Sequence, residues 1–272
     1  MKSFATLFIL LFLSLSVIAA GEWTSAGGRQ AAMGLSGVAL VDSWSVNNNQ
    51  AAMAFFDQSA AGVYFENRYL IKEMGYQSGA ATLKTRYGML GANVGYSGDA
   101  NFNTMKAGLA YARKIGSRFS VGVQLDYIST ALGEEYGKKS NVTFEAGVMV
   151  RMTEELTFGA HLFNPVHVKI AEYGNERIPT ILNAGFAYTF SKKLILTAEA
   201  YKNSEYPLEI RTGAEYKIGQ IAYVRAGVSS NPFRYTFGFG LEMKSFTLDL
   251  SSSVHETLGY SPQVSLQYNF GN

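Results

Sequence analysis

The sequence predicts an all-β fold: a transmembrane, antiparallel, up-and-down β-barrel of about 14 strands, with an N-terminal hatch segment inside its lumen. Three observations point there. From residue 62 onward apolar residues recur at every second position, which puts them on one face of a strand. The links between these runs are alternately long and tight, as in barrels with short periplasmic turns and longer outer loops. The chain is 47% hydrophobic and 14% aromatic but only 16% charged, against roughly 25% charged in an average soluble domain.

Composition also excludes some chemistry. The 272 residues contain no Cys, so disulfide and thiolate chemistry are ruled out, and a lipoprotein anchor is too. A net charge of +2, with no basic cluster longer than Lys138-Lys139 or Lys192-Lys193, gives no footprint for nucleic acid. Abundant Tyr, Phe and Gly with little Pro suit many strands that carry aromatics and approach other backbone closely.

Taken in order, residues 1–20 place Lys2 before an apolar run ending in small residues, which reads as an export signal. Cleavage after Ala19, Ala20 or Gly21 satisfies the small-residue requirement equally well. Residues 21–61 form the expected hatch or plug segment, and residues 62–272 the barrel. The stretch "GGRQAAMGLSGVALVDSWSVNNNQAAMAFF" at 27–56 is apolar and small without alternation, so it needs cover. At about fourteen strands a lumen is too wide to be filled by wall side chains alone. Folding this stretch inside the ring meets both needs. Gly27, Gly28, Gly34 and Gly37 permit tight bends, Asp42 and Trp44 follow, and the side-chain amides of "VNNNQ" (Asn47, Asn48, Asn49 and Gln50) can satisfy buried backbone in a turn.

Strands are predicted near 62–70, 80–87, 90–97, 105–115, 119–129, 142–151, 156–163, 181–190, 194–202, 208–217, 221–229, 235–242, 246–253 and 263–270. In "RFSVGVQLDYIS" Phe119, Val121, Val123, Leu125 and Tyr127 face one way, and Ser120, Gly122, Gln124 and Asp126 the other. A soluble sandwich alternates similarly but has no reason to keep the asymmetry of the links. An even count puts both chain ends on the periplasmic side of a bacterial outer membrane, with lipid as the first partner. Aromatic girdles are expected at Tyr87, Tyr111, Phe119, Tyr127, Phe190 and Phe246.

The polar face then lines the lumen. It carries Lys106, Lys114, Asp126, Glu145, Arg151 and His161, followed by Glu199, Glu209, Arg211, Glu215, Arg225, Glu242 and Asp249. Mixed signs suggest internal ion pairs more than a ring selective for one charge.

The segment carries a recognisable pattern. "AxxMGxxGVAxxD", with Ala32, Met33, Gly34, Gly37, Val38, Ala39 and Asp42, is followed by Asn49 and Ala51. "FNPV" follows later at 163–166. These resemble the FadL-like outer-membrane barrel superfamily and the related PorV and PorQ barrels of the Bacteroidota type IX secretion system. Gln50 stands where that pattern has proline. The PorV and PorQ resemblance implies a docking or scaffold component of protein secretion, with one or more envelope proteins as partners. The FadL resemblance implies instead a passive channel for a small hydrophobic ligand. Its pocket would draw on Ile128, Met149, Phe163, Ile195, Tyr201, Ile221 and Tyr223, with Trp44, Phe55 or Phe56 from the hatch. An accessory subunit of a membrane-protein assembly complex shares the features of the docking reading.

No enzyme is expected, and no cofactor or metal. His161, His167 and His255 make no metal-ligand spacing with one another. His255-Glu256 beside Ser251–Ser253, or His161 with Asp126, are the only pairings that suggest a hydrolase, and strands juxtapose polar residues freely. "GLSGVAL" lacks the Lys-Ser/Thr end of a phosphate loop.

Overall fold

The computed structural model describes residues 25–56, 58–132, 137–166, 168 and 177–270. The expected export signal at 1–20, its cleavage candidates and His167 lie outside the described residues. Fourteen strands form the ring: β1 (Ser59–Asn67), β2 (Gly75–Thr85), β3 (Gly88–Gly98), β4 (Phe102–Ile115), β5 (Phe119–Leu132), β6 (Lys138–Arg151) and β7 (Leu156–Phe163) make the first half. The second half is β8 (Ile181–Phe190), β9 (Leu194–Asn203), β10 (Glu209–Ile218), β11 (Ala222–Ser230), β12 (Phe233–Met243), β13 (Phe246–His255) and β14 (Gly259–Phe270).

Each strand pairs antiparallel with its neighbours in sequence, and β1 closes on β14 from Ser59↔Phe270 to Glu66↔Gln263. Closure is required in hydrocarbon, where each unpaired backbone group costs several kcal/mol. Among the described residues no helix is long and apolar enough to cross a membrane. The faces are inverted relative to a soluble protein. Apolar Leu109 and Leu125 are 72% and 60% exposed, while polar Gln124 and Glu145 are 2% and 1% exposed. Water would not tolerate so continuous an apolar exterior, and lipid requires it. Tyr87, Phe190 and Phe246 are exposed near strand ends as girdle residues should be, whereas Phe119 is half-buried.

Every predicted strand exists, but several begin earlier than expected. β1 starts at Ser59 rather than 62, β4 at Phe102, β6 at Lys138, and β14 at Gly259. Pairing continues past the stretch where one face must be apolar, so alternation underestimates strand length. The links asymmetry is correspondingly weaker: 164–180 is long, but 99–101, 231–232 and 256–258 are as short as the turns at 86–87 or 191–193. Ile221 is an exposed turn residue and not an inward strand position.

Residues 25–56 fold into three short helices, α1 (Gly28–Ala32), α2 (Ser45–Asn48) and α3 (Gln50–Met53), almost all of them buried. Asn49 interrupts the last two; its backbone is extended and its side chain accepts from Ala51 N at 3.1 Å, capping α3. Helices this short do not persist alone. They are held by inward faces all round the ring, from Asn93 on β3 to Ser265 on β14. Close approach needs missing side chains. A Cβ on Gly227 would sit 2.2 Å from Gly34 N, and one on Gly213 2.5 Å from Met33 O, so β10 and β11 meet the segment backbone to backbone.

Candidate functional site: latches and mouths of the lumen

Three inward glutamates hold three parts of the segment. Glu215 on β10 accepts both Nε and Nη2 of Arg29 at 2.8 Å, the fork geometry of a bidentate pair. Its cross-strand partner Arg225 adds Nε at 2.6 Å and reaches over β12 to Asp249 at 2.6 Å. That reach depends on Gly240, where a Cβ would lie 2.5 Å from the Arg225 guanidinium. Arg29 also contacts Asp42 at 3.2 Å, and Asp42 accepts from Gln30 at 2.8 Å and from Trp44 N at 2.9 Å.

Glu199 on β9 accepts the backbone N–H groups of Gly37 and Val38 at 2.8 and 2.9 Å. Glu145 on β6 accepts from Gln50 at 2.5 Å, Lys106 at 2.6 Å, His161 Nε2 at 2.8 Å and Gln124 at 3.2 Å. Backbone contacts fill the gaps: Gly34 N donates to Thr236 at 2.7 Å, and Ser120 donates to Ala51 O at 2.8 Å. Hydrogen bonds to charged groups contribute about 1.5–3 kcal/mol each.

The other predicted hatch residues are also tied in. Asn47 accepts from Asn93 at 2.7 Å, and Asn48 donates to Ala26 O and Trp44 O at 3.0 and 2.8 Å. Asn49 donates to Val38 O at 2.7 Å and to Val148 O at 3.2 Å, joining two parts of the segment to β6. Trp44 is buried edge-on against Tyr64, ring centroids 6.0 Å apart.

Of the predicted lumen residues, Asp126, Glu145, Glu199, Glu209, Arg211, Glu215 and Arg225 are buried, and Lys106 is half-buried between Asp126 and Glu145. Lys114 and Arg151 are exposed at the short-turn end, their cations 5.3 and 4.2 Å from the Phe55 ring. Glu242 is an exposed rim residue that accepts from Tyr223. His161 pairs with Glu145 rather than Asp126, and His255 packs against Tyr69. Among the described residues no group of His, Cys, Asp and Glu is arranged to hold a metal ion.

Sequence reasoning missed Arg29 and Gln30. Nothing local signals Arg29, because its partner lies 186 residues away. Gln50, read both as a departure from the expected proline and as one of the amides of the turn, donates to Val46 O at 3.2 Å and to Glu145 at 2.5 Å.

Between its two ends the lumen is almost full, and the short-turn end holds a space of about 340 Å³ lined by Arg29, Trp44, Glu215 and Arg225 among others. An internal cavity of about 50 Å³, lined by Asn47, Lys106, Glu145, His161, Asn183 and Arg211 among others, has room for a few waters and no more. Beside it Ile128, Phe163, Ile178 and Ile181 form an apolar patch, with Tyr201 packed against it. The end opposite the short turns holds a larger vestibule of about 430 Å³. Tyr69, Tyr206, Pro207, Pro232 and Leu258 line it together with the polar Asn203, Asn231 and His255, and Tyr201, Glu209, Arg211 and Arg234 complete the lining.

No family model matches the sequence, and no curated protein matches it. Solved structures do match in fold. The CymD monoaromatic hydrocarbon channel aligns at TM-score 0.72 over 93% of this chain and 100% of its own, with 14% identity. The Pseudomonas putida toluene transporter TodX aligns at 0.70 over 92% and 100%, with 13% identity, and a Pseudomonas aeruginosa FadL homologue at 0.68 over 91% and 98%, with 16% identity. Identities this low establish the shared fold, a FadL-like barrel. They also correct the expected function. The similar structures are transport channels, so the reading as a docking or scaffold component of protein secretion does not stand, and the PorV and PorQ likeness and the assembly-subunit reading are left without support.

Proposed function

We propose that this chain is a passive, non-enzymatic channel for small hydrophobic molecules across the bacterial outer membrane, closed in the present state by residues 25–56. The single observation that carries the reading is the vestibule at the end opposite the short turns: a space of about 430 Å³, lined by tyrosines and prolines among polar residues, that adjoins the buried apolar patch of the lumen through Tyr201. Its volume falls within the roughly 300–1,000 Å³ of small-molecule pockets. The fold shared with the hydrocarbon channel CymD and the toluene transporter TodX agrees with it.

In this reading both chain ends and the short turns face the periplasm, and the longer links surround the vestibule. A hydrophobic solute partitions from water into the vestibule, gaining about 25 cal/mol per Å² of apolar surface buried. It then passes inward as the latched segment shifts. The segment's bonds to Glu145, Glu199 and Glu215 keep ions and polar solutes out meanwhile. No cofactor enters the mechanism.

The test is uptake of toluene into cells whose outer membrane is intact, with and without the chain expressed in it. Faster uptake with the chain is the expected result. Equal rates, with the barrel verified in the membrane, would overturn the proposal.

A further inference from the structure

We propose that the lipid-facing side of the wall, at the short-turn end, carries a binding site for the phosphate of an anionic phospholipid, built from Arg86 and Arg113 beside the rings of Tyr87 and Tyr111. On β4 the buried Ala110 and Ala112 alternate with Leu109, Tyr111, Arg113 and Ile115, all four exposed. Arg113 therefore points away from the lumen. Its neighbours on that face are apolar: Tyr111 and Ile115 on its own strand, and Val121 across from it on β5. The next residue, Lys114, points the other way, toward Phe55.

A cation on the outer face of a barrel is tolerated near an interface and not at the midplane. The position fits. Arg113 is two residues from the end of β4, and the exposed rings of Tyr87 and Tyr111 mark the level of the headgroups. Toward β3, Arg113 follows the last pair, Met89↔Ala112, by one step, so it lies beside Gly88, which has no side chain to cover it. The same glycine leaves room for the aromatic frame. Tyr111 Oη donates to Tyr87 O at 2.8 Å, and a Cβ on Gly88 would lie 3.0 Å from that hydroxyl and 2.5 Å from Ala112 O. Arg86 stacks on Tyr87, its guanidinium carbon 4.5 Å from the ring centroid.

Among the described residues no Asp or Glu pairs with Arg86 or Arg113, whereas Arg29, Arg211, Arg225 and Arg234 each have a carboxylate. The counter-charge must come from outside the chain. In a membrane the anion at this depth is the headgroup phosphate, whose oxygens match the planar fork of an arginine. The acyl chains would lie on exposed Leu83, Leu90 and Leu109, which continue the outer face toward the midplane. With two cations and no carboxylate to receive an ammonium, the site favours a headgroup of net negative charge over a zwitterionic one. In the orientation proposed above this is the periplasmic leaflet. The site does not depend on passage through the lumen, so a failed toluene test leaves it standing.

The experiment uses the full chain folded in mixed micelles and measures, by native mass spectrometry, binding of phosphatidylglycerol and phosphatidylcholine with the same acyl chains. An arginine near a membrane surface contributes about 5-fold to attraction for anionic lipid, so phosphatidylglycerol is expected to bind about 30-fold more tightly. Arg86→Gln and Arg113→Gln should each cost about 5-fold and together remove the preference. Lys192→Gln with Lys193→Gln removes two exposed cations from another turn at the same end and should leave it unchanged. Should an arginine variant fail to fold, phenylglyoxal modification of the unmodified protein reads the same contact: phosphatidylglycerol, and not phosphatidylcholine, should protect Arg86 and Arg113. Equal binding of the two lipids, an equal loss in the Lys192 and Lys193 control, or modification at the same rate in both lipids would overturn the proposal.

Discussion

Replacing Arg29 by Gln should loosen the segment without leaving a carboxylate stranded. Glu215 would keep Arg225 at 2.6 Å, and Asp42 would keep Gln30 at 2.8 Å and Trp44 N at 2.9 Å. What disappears between segment and wall is the bidentate pair, two bonds of 2.8 Å each. Bonds to charged groups contribute about 1.5–3 kcal/mol apiece, and the Arg29 side chain is 17% exposed, so we take about 2–3 kcal/mol for the pair. That is a rise of roughly 30- to 150-fold in the undocked fraction. Because the chain has no cysteine, a thiol placed at fully buried Ala31 would be the sole target of an impermeant thiol reagent. Its labelling rate reports undocking directly when redocking is fast. In that background Arg29→Gln should label roughly 30- to 150-fold faster, and Glu215→Gln should show strong coupling to it in a double-mutant cycle. An unchanged rate would refute the assignment of Arg29 and Glu215 as a latch.

Deleting residues 25–57 should convert a silent barrel into an ion-conducting pore in planar bilayers; a deletion as silent as the parent would show that the segment does not seal the lumen. Gly227→Ala would set a methyl 2.2 Å from Gly34 N, so thiol labelling at position 31 should rise while the heat-modifiable migration of a folded barrel persists. Loss of that migration would place the damage in the barrel itself. Leu125→Arg should destabilise the barrel by about 2–4 kcal/mol if Leu125 faces the bilayer midplane, read from denaturant unfolding in vesicles. A cost near zero would mean that this face does not meet lipid.

Most of the wall was legible because lipid imposes a strict rule on it. A residue such as Leu125 must be apolar and Gln124 need not be, and that binary choice is written in single letters. The rule lapses where strands leave the membrane, which is why the starts of β4, β6 and β14 were placed too late. The interior obeys a different logic. That Glu199 faces Arg211, and Glu215 faces Arg225, follows from register once the hairpins are paired, so these ion pairs were anticipated as mixed charge on one face. The bonds of the segment were not. Gly37 N to Glu199 and Arg29 to Glu215 join residues 162 and 186 positions apart, and no periodicity records a contact of that kind. The glycines at 213 and 227 carry no such signal either, although their missing side chains are what admits the segment.

The span of these contacts sets an order of events. Gly28 bonds to Ser265 and Gly34 to Thr236, so a segment made before the first strand finds its partners on strands synthesised near the end. Contacts so distant in sequence pay a large loop-closure entropy before they return any energy. Residues 25–56 therefore stay undocked, apolar and unshielded, until the last hairpin joins the first. A periplasmic holdase would find its natural grip on that waiting stretch, and maturation of the barrel would end at its beginning.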